Sequence, residues 1–234
     1  MPDKSKYHDL QSADFIKACR DYYYLIDRHY PERGVLKLVG DRYRLGGDQR
    51  TVLYRGISSR ERSALRKSLL VSEINGMDLG VDGYNVLFTL LNYRMGKITF
   101  ISTDQFMRDA GSLHGRLNDE KTFAECVVQL AAFLILRQPA RVDVYLDSPV
   151  SHSEQHAHLI REKFQQAGLV TDCHVIKSAD WALRQRQEGV IATSDTAIID
   201  KSKVPVMDLP KEVLEHTYKA KFLDINHIIT TWSD

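Results

Sequence analysis

Three aspartates follow short apolar runs in the middle and later parts of the chain. Asp82 ends the run in VDGYN, Asp147 ends VDVYLD, and Asp195 follows VIATS. Each run is rich in Val, Ile or Leu and is followed by residues that favour the start of a helix. Carboxylates at several strand ends suit a hard divalent cation, which prefers oxygen ligands. We therefore predict that these three aspartates bind a divalent cation and take part in catalysis.

Each aspartate also has a purely structural explanation. An Asp-Gly pair is a common turn, and aspartate is a favoured N-terminal helix cap, which applies to Asp147 and to Asp195 ahead of TAIID. A capping carboxylate can still face a crevice at the edge of a sheet. Neighbouring polar side chains could hold water or orient a phosphate, and Asn85 could instead fix a neighbouring loop. The predicted substrate contacts near the acids are Asn85, Ser194 and Thr196.

A fourth acid would complete such a site, and the glycine-spaced stretch FMRDAGSLHGR supplies the first candidate, Asp109. Three side chains in this stretch suit phosphate binding, namely Arg108, His114 and Arg116. Loops of this composition on an α/β scaffold often have functional roles, although a solvated surface loop is the alternative. Weaker candidates, each more typical of a surface charge or a cap, are Asp104, Glu125, Asp180 and Asp200.

The elements that would position these residues alternate between short apolar runs and longer amphipathic stretches from about residue 76. The pattern predicts strands over 77–82, 97–102, 142–147, 170–176, 189–193 and 204–207. An irregular stretch is expected over 103–117, and helices over 84–94, 119–138, 153–167, 179–187, 195–200 and 210–218, with a further short element in the tail. This alternation indicates an α/β fold with a mostly parallel sheet and helices on both faces. Ligands of such sheets bind outside the carboxyl ends of the strands, where the aspartates fall.

Residues 1–75 are predicted to form a separate helical module ahead of a catalytic domain over 76–234. Apolar residues recur at helical spacing in ADFIKACRDYYYLIDRHY, and SRERSALRKSLL has the form of a further capped helix. Gly40 and the Gly46–Gly47 pair are expected to break the stretch between them into short pieces. The tyrosines of residues 22–24 could either stack on bases or belong to the core.

The net charge of +1 conceals a basic segment. Residues 33–67 contain ten Lys or Arg and three Asp or Glu, which gives this segment a net charge of +7. A basic segment joined to an acidic domain suggests a polyanionic partner, and arginine suits bidentate phosphate contacts, although a solvated helical surface is the alternative. The predicted partner is nucleic acid, and the predicted contacts here are Arg42, Arg44 and Arg55.

Other classes of protein are disfavoured by what the sequence lacks. No apolar run approaches the roughly 20 residues of a membrane span, so a cytoplasmic protein without a membrane partner is expected. Zinc is disfavoured because there is no CxxC pair and no HExxH pattern. The chain also has no DxDxT, Walker or GxGxxG pattern, which argues against three common classes of phosphate-handling and dinucleotide enzymes. The oligomeric state is open, with a homodimer as one option.

VDGYN, LDSP and IATSDTAIID resemble the motifs of PIN-like nucleases, in particular the NYN branch, whose first strand ends in a DGYN-like sequence. The resemblance covers about residues 76–210 and implies a PIN-like fold and a ribonuclease that uses Mg²⁺ or Mn²⁺. It implies that Asp82 is the first acid, Asp147 the middle acid and Asp195 the late strand-end acid. PIN domains usually add an acid from a central helix, here either Asp109 or Glu125. The whole chain also resembles a two-part bacterial and archaeal family with a small helical N-terminal domain of unknown function.

Together the residues and the resemblance predict a metal-dependent endoribonuclease. Two alternatives stay open: an inactive PIN-like fold that binds RNA, and a metal-dependent phosphoesterase that acts on small substrates. Because a degenerate site need not keep its acids, the presence of all three strand-end aspartates argues against the inactive fold.

Overall fold

A computed structural model describes residues 7–111 and 119–230 of this chain. By their internal packing these residues form two compact units. The first unit comprises the described parts of Met1–Ser68, Asn92–Ser112 and Lys221–Asp234, and the second comprises those of Leu69–Leu91 and Leu113–Ala220. The sequence suggested two contiguous domains that meet near residue 75, whereas the first unit also includes two later stretches of the chain.

The chain begins with helices. A short 3-10 turn (Asp9–Gln11) precedes α1 (Ala13–Ile26), α2 (Glu32–Arg42), α3 (Gly47–Gly56) and α4 (Arg60–Leu69). Gly46 caps α3, but Gly40 lies inside α2, where a Cβ atom would be 2.2 Å from Nη1 of Arg50. The prediction that Gly40 breaks the chain was therefore wrong, because this glycine instead leaves room for the Arg50 side chain.

Strands and helices alternate after α4. They are β1 (Asp78–Asp82), α5 (Gly83–Arg94), β2 (Thr99–Ile101), β3 (Met107–Asp109), α6 (Glu120–Arg137), β4 (Arg141–Asp147), α7 (Ser153–Gln166), β5 (Thr171–Ile176), α8 (Ala179–Arg184), β6 (Val190–Ala192), α9 (Thr196–Ile199), β7 (Val206–Met207), α10 (Leu209–Tyr218), β8 (Leu223–Asp224) and α11 (Ile225–Thr230). The predicted elements between residues 77 and 218 are present to within about three residues at each end. The strand β3 lies in the stretch predicted to be irregular, and the tail forms β8 and α11.

The second unit contains a five-stranded sheet in the order β5-β4-β1-β6-β7, and every neighbouring pair is parallel. In the central strand β1, four consecutive residues (79–82) are buried. Because successive side chains point to opposite faces, this burial means that both faces of the strand are covered. The predicted α/β fold, a parallel sheet flanked by helices after a helical N-terminal region, is confirmed and is consistent with a PIN-like arrangement.

The first unit has its own small sheet and its own core. The strand β2 pairs antiparallel with β3 and parallel with β8. Its place in the alternating pattern had suggested that it belongs to the five-stranded sheet, but it does not join that sheet. The core brings together Phe15 and Tyr22 of α1, Phe100 of β2 and Ile225 of α11. These contacts explain why the two later stretches of the chain belong with the N-terminal helices.

The most apolar helix, α6, is a core helix of the second unit. Its buried residues include Val127, Leu130 and Leu134, which recur at the spacing of one helical face. Within the residues that the structure describes, no helix has the length and apolar character needed to cross a membrane.

Candidate active site

The carboxyl ends of β4, β1 and β6 meet at one edge of the five-stranded sheet, because these three strands are parallel neighbours. Asp82 at the end of β1 lies opposite Tyr145 of β4, and Val81 lies opposite Ala192 of β6. Thr193 comes next after Ala192, and its hydroxyl donates a hydrogen bond of 2.8 Å to Oδ2 of Asp82. Residues that are more than 100 positions apart in the sequence thus become neighbours through the strand order.

Gly83, the first residue of α5, fits the same edge through its small size. A Cβ atom at this position would lie 2.5 Å from Cδ2 of Leu146 and 2.9 Å from Cγ1 of Val144. The Asp-Gly pair in the sequence suggested a turn at this position. The structure shows that it lets the start of α5 approach β4 instead.

Asn85, in the first turn of α5, holds the loop that follows β6. Its Oδ1 accepts hydrogen bonds from the Ser194 backbone N–H at 2.8 Å and from the Ser194 hydroxyl at 3.1 Å. The Asp195 N–H in turn donates to Oγ1 of Thr193 at 3.0 Å. These contacts show that Asn85 fixes the neighbouring loop, which was one of the roles considered for it. The buried Ser194 hydroxyl takes part in the same contact.

Asp195 and Asp147 each use one carboxylate oxygen to hold a short helix. Oδ1 of Asp195 accepts a hydrogen bond of 2.6 Å from the N–H of Ala197, and Oδ1 of Asp147 accepts one of 2.9 Å from the N–H of Ala179. No residue in the described part of the chain donates to the second oxygen of either carboxylate. Both acids are half-exposed, as is Thr196 beside Asp195. The capping role therefore leaves an oxygen of each acid available to a ligand.

A fourth carboxylate, Asp180 in the first turn of α8, belongs to the same group. Burial raises its pKa, the charge of Asp195 raises it further, Arg184 opposes this, and Asp147 adds to the increase. Arg184 donates a hydrogen bond of 3.0 Å to Oδ2 of Asp180. Sequence reasoning ranked this acid below Asp109 because it is more typical of a surface charge or a cap. Its position follows from the packing of α8 against β1 and β4, which no local pattern reveals.

Asp82 is the most buried of the four acids, with only 5% of its surface exposed. Burial raises the pKa of its carboxyl to about 7, the hydrogen bond from Thr193 opposes this, and the charges of Asp195, Asp180 and Asp147 add to the increase. The four acids therefore act on one another electrostatically at one edge of the sheet. A divalent cation at this edge would relieve their mutual repulsion.

The oxygens at this edge fit a hard cation in their chemistry. In the part of the chain that the structure describes, no three His, Cys, Asp or Glu side chains have the spacing of a ready-formed metal site. Mg²⁺, however, commonly keeps several waters and is bound by only one or two carboxylates, so a closed cage of protein ligands is not required. The residues that would hold an ion here are Asp82, Asp147 and Asp195, with Asp180 beside them.

Asp109, the predicted fourth acid, lies in β3 of the first unit. Its Oδ1 accepts hydrogen bonds from Nδ2 of Asn92 at 2.9 Å and from the N–H of Gly111 at 2.8 Å, and Arg55 donates to its carbonyl oxygen at 2.8 Å. These contacts hold β3 and the loop after it. Asp109 is not among the acids that raise the pKa of Asp82, and the alternative, Glu125, is exposed on α6.

Arg108 is buried in the first unit, which contradicts its predicted role as a phosphate contact. Nη2 of Arg108 and Nη1 of Arg66 donate to the same oxygen, Oδ2 of Asp104, at 3.0 Å and 3.1 Å. A guanidinium enclosed in this way serves a structural ion pair and cannot reach a polymer in solvent. The other two predicted contacts from this stretch, His114 and Arg116, lie outside the described residues.

The arginines of the basic segment are partly neutralised within the first unit. Arg42 remains 70% exposed at 3.9 Å from Asp21, and Arg44 is exposed in the left-handed region with a φ of 51°. Further ion pairs join Arg62 to Glu32 and Arg55 to Asp109, and both of these acids lie outside the segment. The net charge of +7 therefore overstates the charge that this segment presents to a partner.

The fold and this edge define an α/β protein with interacting carboxylates at the carboxyl ends of parallel strands. Residues 71–212 match the family described as Domain of unknown function (DUF5616), and residues 14–68 match Protein of unknown function (DUF434). The chain belongs to the DUF5616 family. It is similar to the uncharacterized protein MJ0935 of Methanocaldococcus jannaschii, with 29% identity over 206 residues, which are 87% of this chain and 98% of that protein. No solved structure matches the chain.

Proposed function

We propose that this protein is a divalent-metal-dependent nuclease, an endoribonuclease that hydrolyses phosphodiester bonds at the edge formed by β4, β1 and β6. The observation that supports the proposal most directly is the electrostatic state of Asp82. Its carboxyl is buried, its pKa is raised to about 7, and three further acids contribute to that increase. Strongly perturbed acids in one group are typical of functional sites rather than of ordinary surface charge.

A cation held at this edge would supply a nucleophile from water near neutral pH and would neutralise charge on the phosphate oxygens. The protein must then present the oxygens of Asp82, Asp147 and Asp195 in fixed positions. The Thr193 hydroxyl fixes Asp82, and the N–H groups of Ala179 and Ala197 fix the other two. Preorganised ligands of this kind cost little rearrangement during the reaction.

Proton transfer is the second task of the site. Hydrolysis forms a bond from water oxygen to phosphorus, breaks one ester P–O bond and delivers a proton to the leaving oxygen. Asp180 is half-exposed, so its carboxyl can contact water and the leaving oxygen, and burial together with the charge of Asp195 raises its pKa. We assign Asp180 to this role or to the outer part of the ion site.

Cleavage of labelled single-stranded RNA and DNA by the full chain tests the proposal, with Mn²⁺, Mg²⁺ or EDTA present. The Asp82→Asn/Asp195→Asn double variant, purified in the same way, controls for contaminating nucleases. Asp172→Asn is a matched control, because this acid lies near the other end of β5 and pairs with Arg161. We expect metal-dependent cleavage by the wild type and by Asp172→Asn and none by the double variant.

Three results would overturn the proposal. Cleavage that survives the double substitution would place the activity elsewhere. Binding of RNA without cleavage under any metal condition would favour a binding module, and hydrolysis of small phosphate esters but not of polymers would favour a phosphoesterase.

A further inference from the structure

A pocket of about 450 Å³ opens beside the acids in the second unit. Tyr145 of β4 and His174 of β5 line it, and their rings stack with centroids 5.1 Å apart and planes 25° from parallel. Trp181 of α8 also lines the pocket, with 66% of its surface exposed. The volume falls within the roughly 300–1,000 Å³ of ordinary ligand sites. Tyr145 also packs against a small core cluster, whereas the exposed surface of Trp181 is stacking surface that the fold itself does not use.

The pocket leads toward the acids along the sheet. Side chains alternate along a strand, so Tyr145 and Asp147 project from the same face of β4, roughly 7 Å apart along the strand. On β5, Ile176 lines the pocket and pairs in register with Asp147. On α8, Trp181 follows Asp180 directly. A ligand in the pocket would therefore be connected to the acid edge by a step that one nucleotide can span.

We propose that this pocket is a stacking subsite for one unpaired base of the nucleic-acid substrate, an inference that rests on the proposed nuclease function. The aromatic rings of Tyr145, His174 and Trp181 offer the flat surface that a base of any identity can use. Lys177 is exposed and also lines the pocket, so its ammonium group is available to contact a phosphate of the bound nucleotide. This charge is complementary to the polymer, whereas the acids next to it need a cation before they can accept a phosphate.

The subsite selects single strands over duplexes. A base becomes available to an aromatic side chain only when it is not stacked within a helix, which favours loops, bulges and ends. The tyrosines of α1, which the sequence offered as an alternative stacking site, are less suited. Tyr22 is 1% exposed within the core of the first unit, and the guanidinium of Arg28 covers the Tyr24 ring at 3.5 Å.

Binding can be measured separately from cleavage. The chain has two tryptophans, so Trp232→Phe leaves Trp181 as the only tryptophan reporter, and Asp82→Asn/Asp195→Asn in the same chain prevents cleavage. We would titrate this protein with short oligoadenylate, with an abasic oligomer of equal charge and with duplex RNA. Oligoadenylate should quench the fluorescence of Trp181, and the other two ligands should not.

Affinity for oligoadenylate, followed by fluorescence anisotropy, should fall about 5- to 150-fold in Trp181→Ala, which corresponds to the loss of one stacked base. Trp181→Phe should keep most of the affinity, and Tyr218→Ala is the matched control, because Tyr218 is an exposed aromatic of the same unit that does not line the pocket. Circular dichroism checks that each variant is folded. In the cleaving protein, Trp181→Ala should raise KM more than it lowers kcat.

The outcomes separate this inference from the function on which it rests. Unchanged affinity in Trp181→Ala, or equal binding of the abasic oligomer, overturns the subsite even if the wild type cleaves RNA. Trp181-dependent binding of bases without any cleavage supports the subsite and counts against the nuclease function alone. Quenching by peptides but not by oligonucleotides overturns the subsite and identifies the pocket as a protein-binding surface.

Discussion

Replacing Asp82 with asparagine should make the protein more stable at neutral and alkaline pH while it abolishes activity. The pKa of the Asp82 carboxyl rises on folding from 3.8 to about 7. An acid whose pKa is raised by folding stabilises the folded state only while it is protonated. The contribution of the protonated carboxyl to the free energy of unfolding is complete below about pH 4, declines as the pH rises, and is lost above about pH 7.

The size of the effect follows from the two pKa values. Ionising a carboxyl with these values costs about 2 kcal/mol of folding free energy at pH 5 and about 4 kcal/mol at pH 8. Asparagine has nearly the same shape and no charge, and its carbonyl oxygen can still accept the Thr193 hydroxyl. The stability gained by Asp82→Asn should therefore grow by about 2 kcal/mol between pH 5 and pH 8.

Urea denaturation followed by circular dichroism, in EDTA at both pH values, measures this difference. Asp172→Asn is the control, because this substitution should lower the stability at both pH values instead of raising it. The pKa of Asp172 is lowered, chiefly by the hydrogen bond from the Cys173 N–H, so its ionised form stabilises the folded state. Adding Mn²⁺ at pH 8 should stabilise the wild type more than Asp82→Asn, because the cation offsets the charge of the acids.

Parallel loss of stability in the wild type and in Asp82→Asn between pH 5 and pH 8 would refute the reasoning. It would mean that the ionised Asp82 carboxylate is not unfavourable in the folded state. The argument that burial and the neighbouring acids create a strained site would then fail, and with it the main support for the proposed function.

Three further substitutions test other parts of the structure. Asp180→Asn should lower kcat/KM on labelled RNA at least about tenfold while Asp109→Asn does not, and the reverse order would restore Asp109 as the fourth acid. Thr193→Val removes the hydroxyl that lowers the pKa of Asp82, so the acidic limb of the pH–rate profile should move to higher pH. Thr193→Ser keeps a hydroxyl and should restore the original position of this limb. An acidic limb that does not move in Thr193→Val would count against a role for that hydrogen bond. Asp104→Asn removes the charge that two buried arginines share and should cost about 3–5 kcal/mol in urea denaturation, and a loss below about 1 kcal/mol would show the ion pair to be dispensable.

The strand-end acids could be found in the sequence because strand, turn and helix start are local patterns. Apolar runs followed by helix-favouring residues located β1, β4 and β6, and the alternation of elements located the parallel sheet. The same local patterns could not supply the order of the strands, which decides the neighbours of each acid. Asp180 was undervalued for this reason, since its proximity to Asp195 and Asp147 depends on how α8 packs against the sheet.

Other features depend on contacts between distant parts of the chain. The strand β2 has the same apolar character as the strands of the parallel sheet, and its sequence does not show that its partners are β3 and β8. Arg108 stands in a glycine-spaced stretch that resembles a solvated loop. Its burial depends on Asp104 and on Arg66, which lies 42 positions earlier in the chain.

Synthesis of the first unit begins before that of the second unit, but the core of the first unit can be completed only after the second unit has been made. Helix α1 is made first, but its core partners include Ile225 and Ile228, so the core of the first unit cannot close until these residues have left the ribosome. The last strand of the five-stranded sheet ends earlier, at Met207. Non-local contacts of this kind slow folding and prolong the exposure of apolar surface. The apolar faces of the N-terminal helices are thus expected to stay exposed for longer than those of the sheet that follows them.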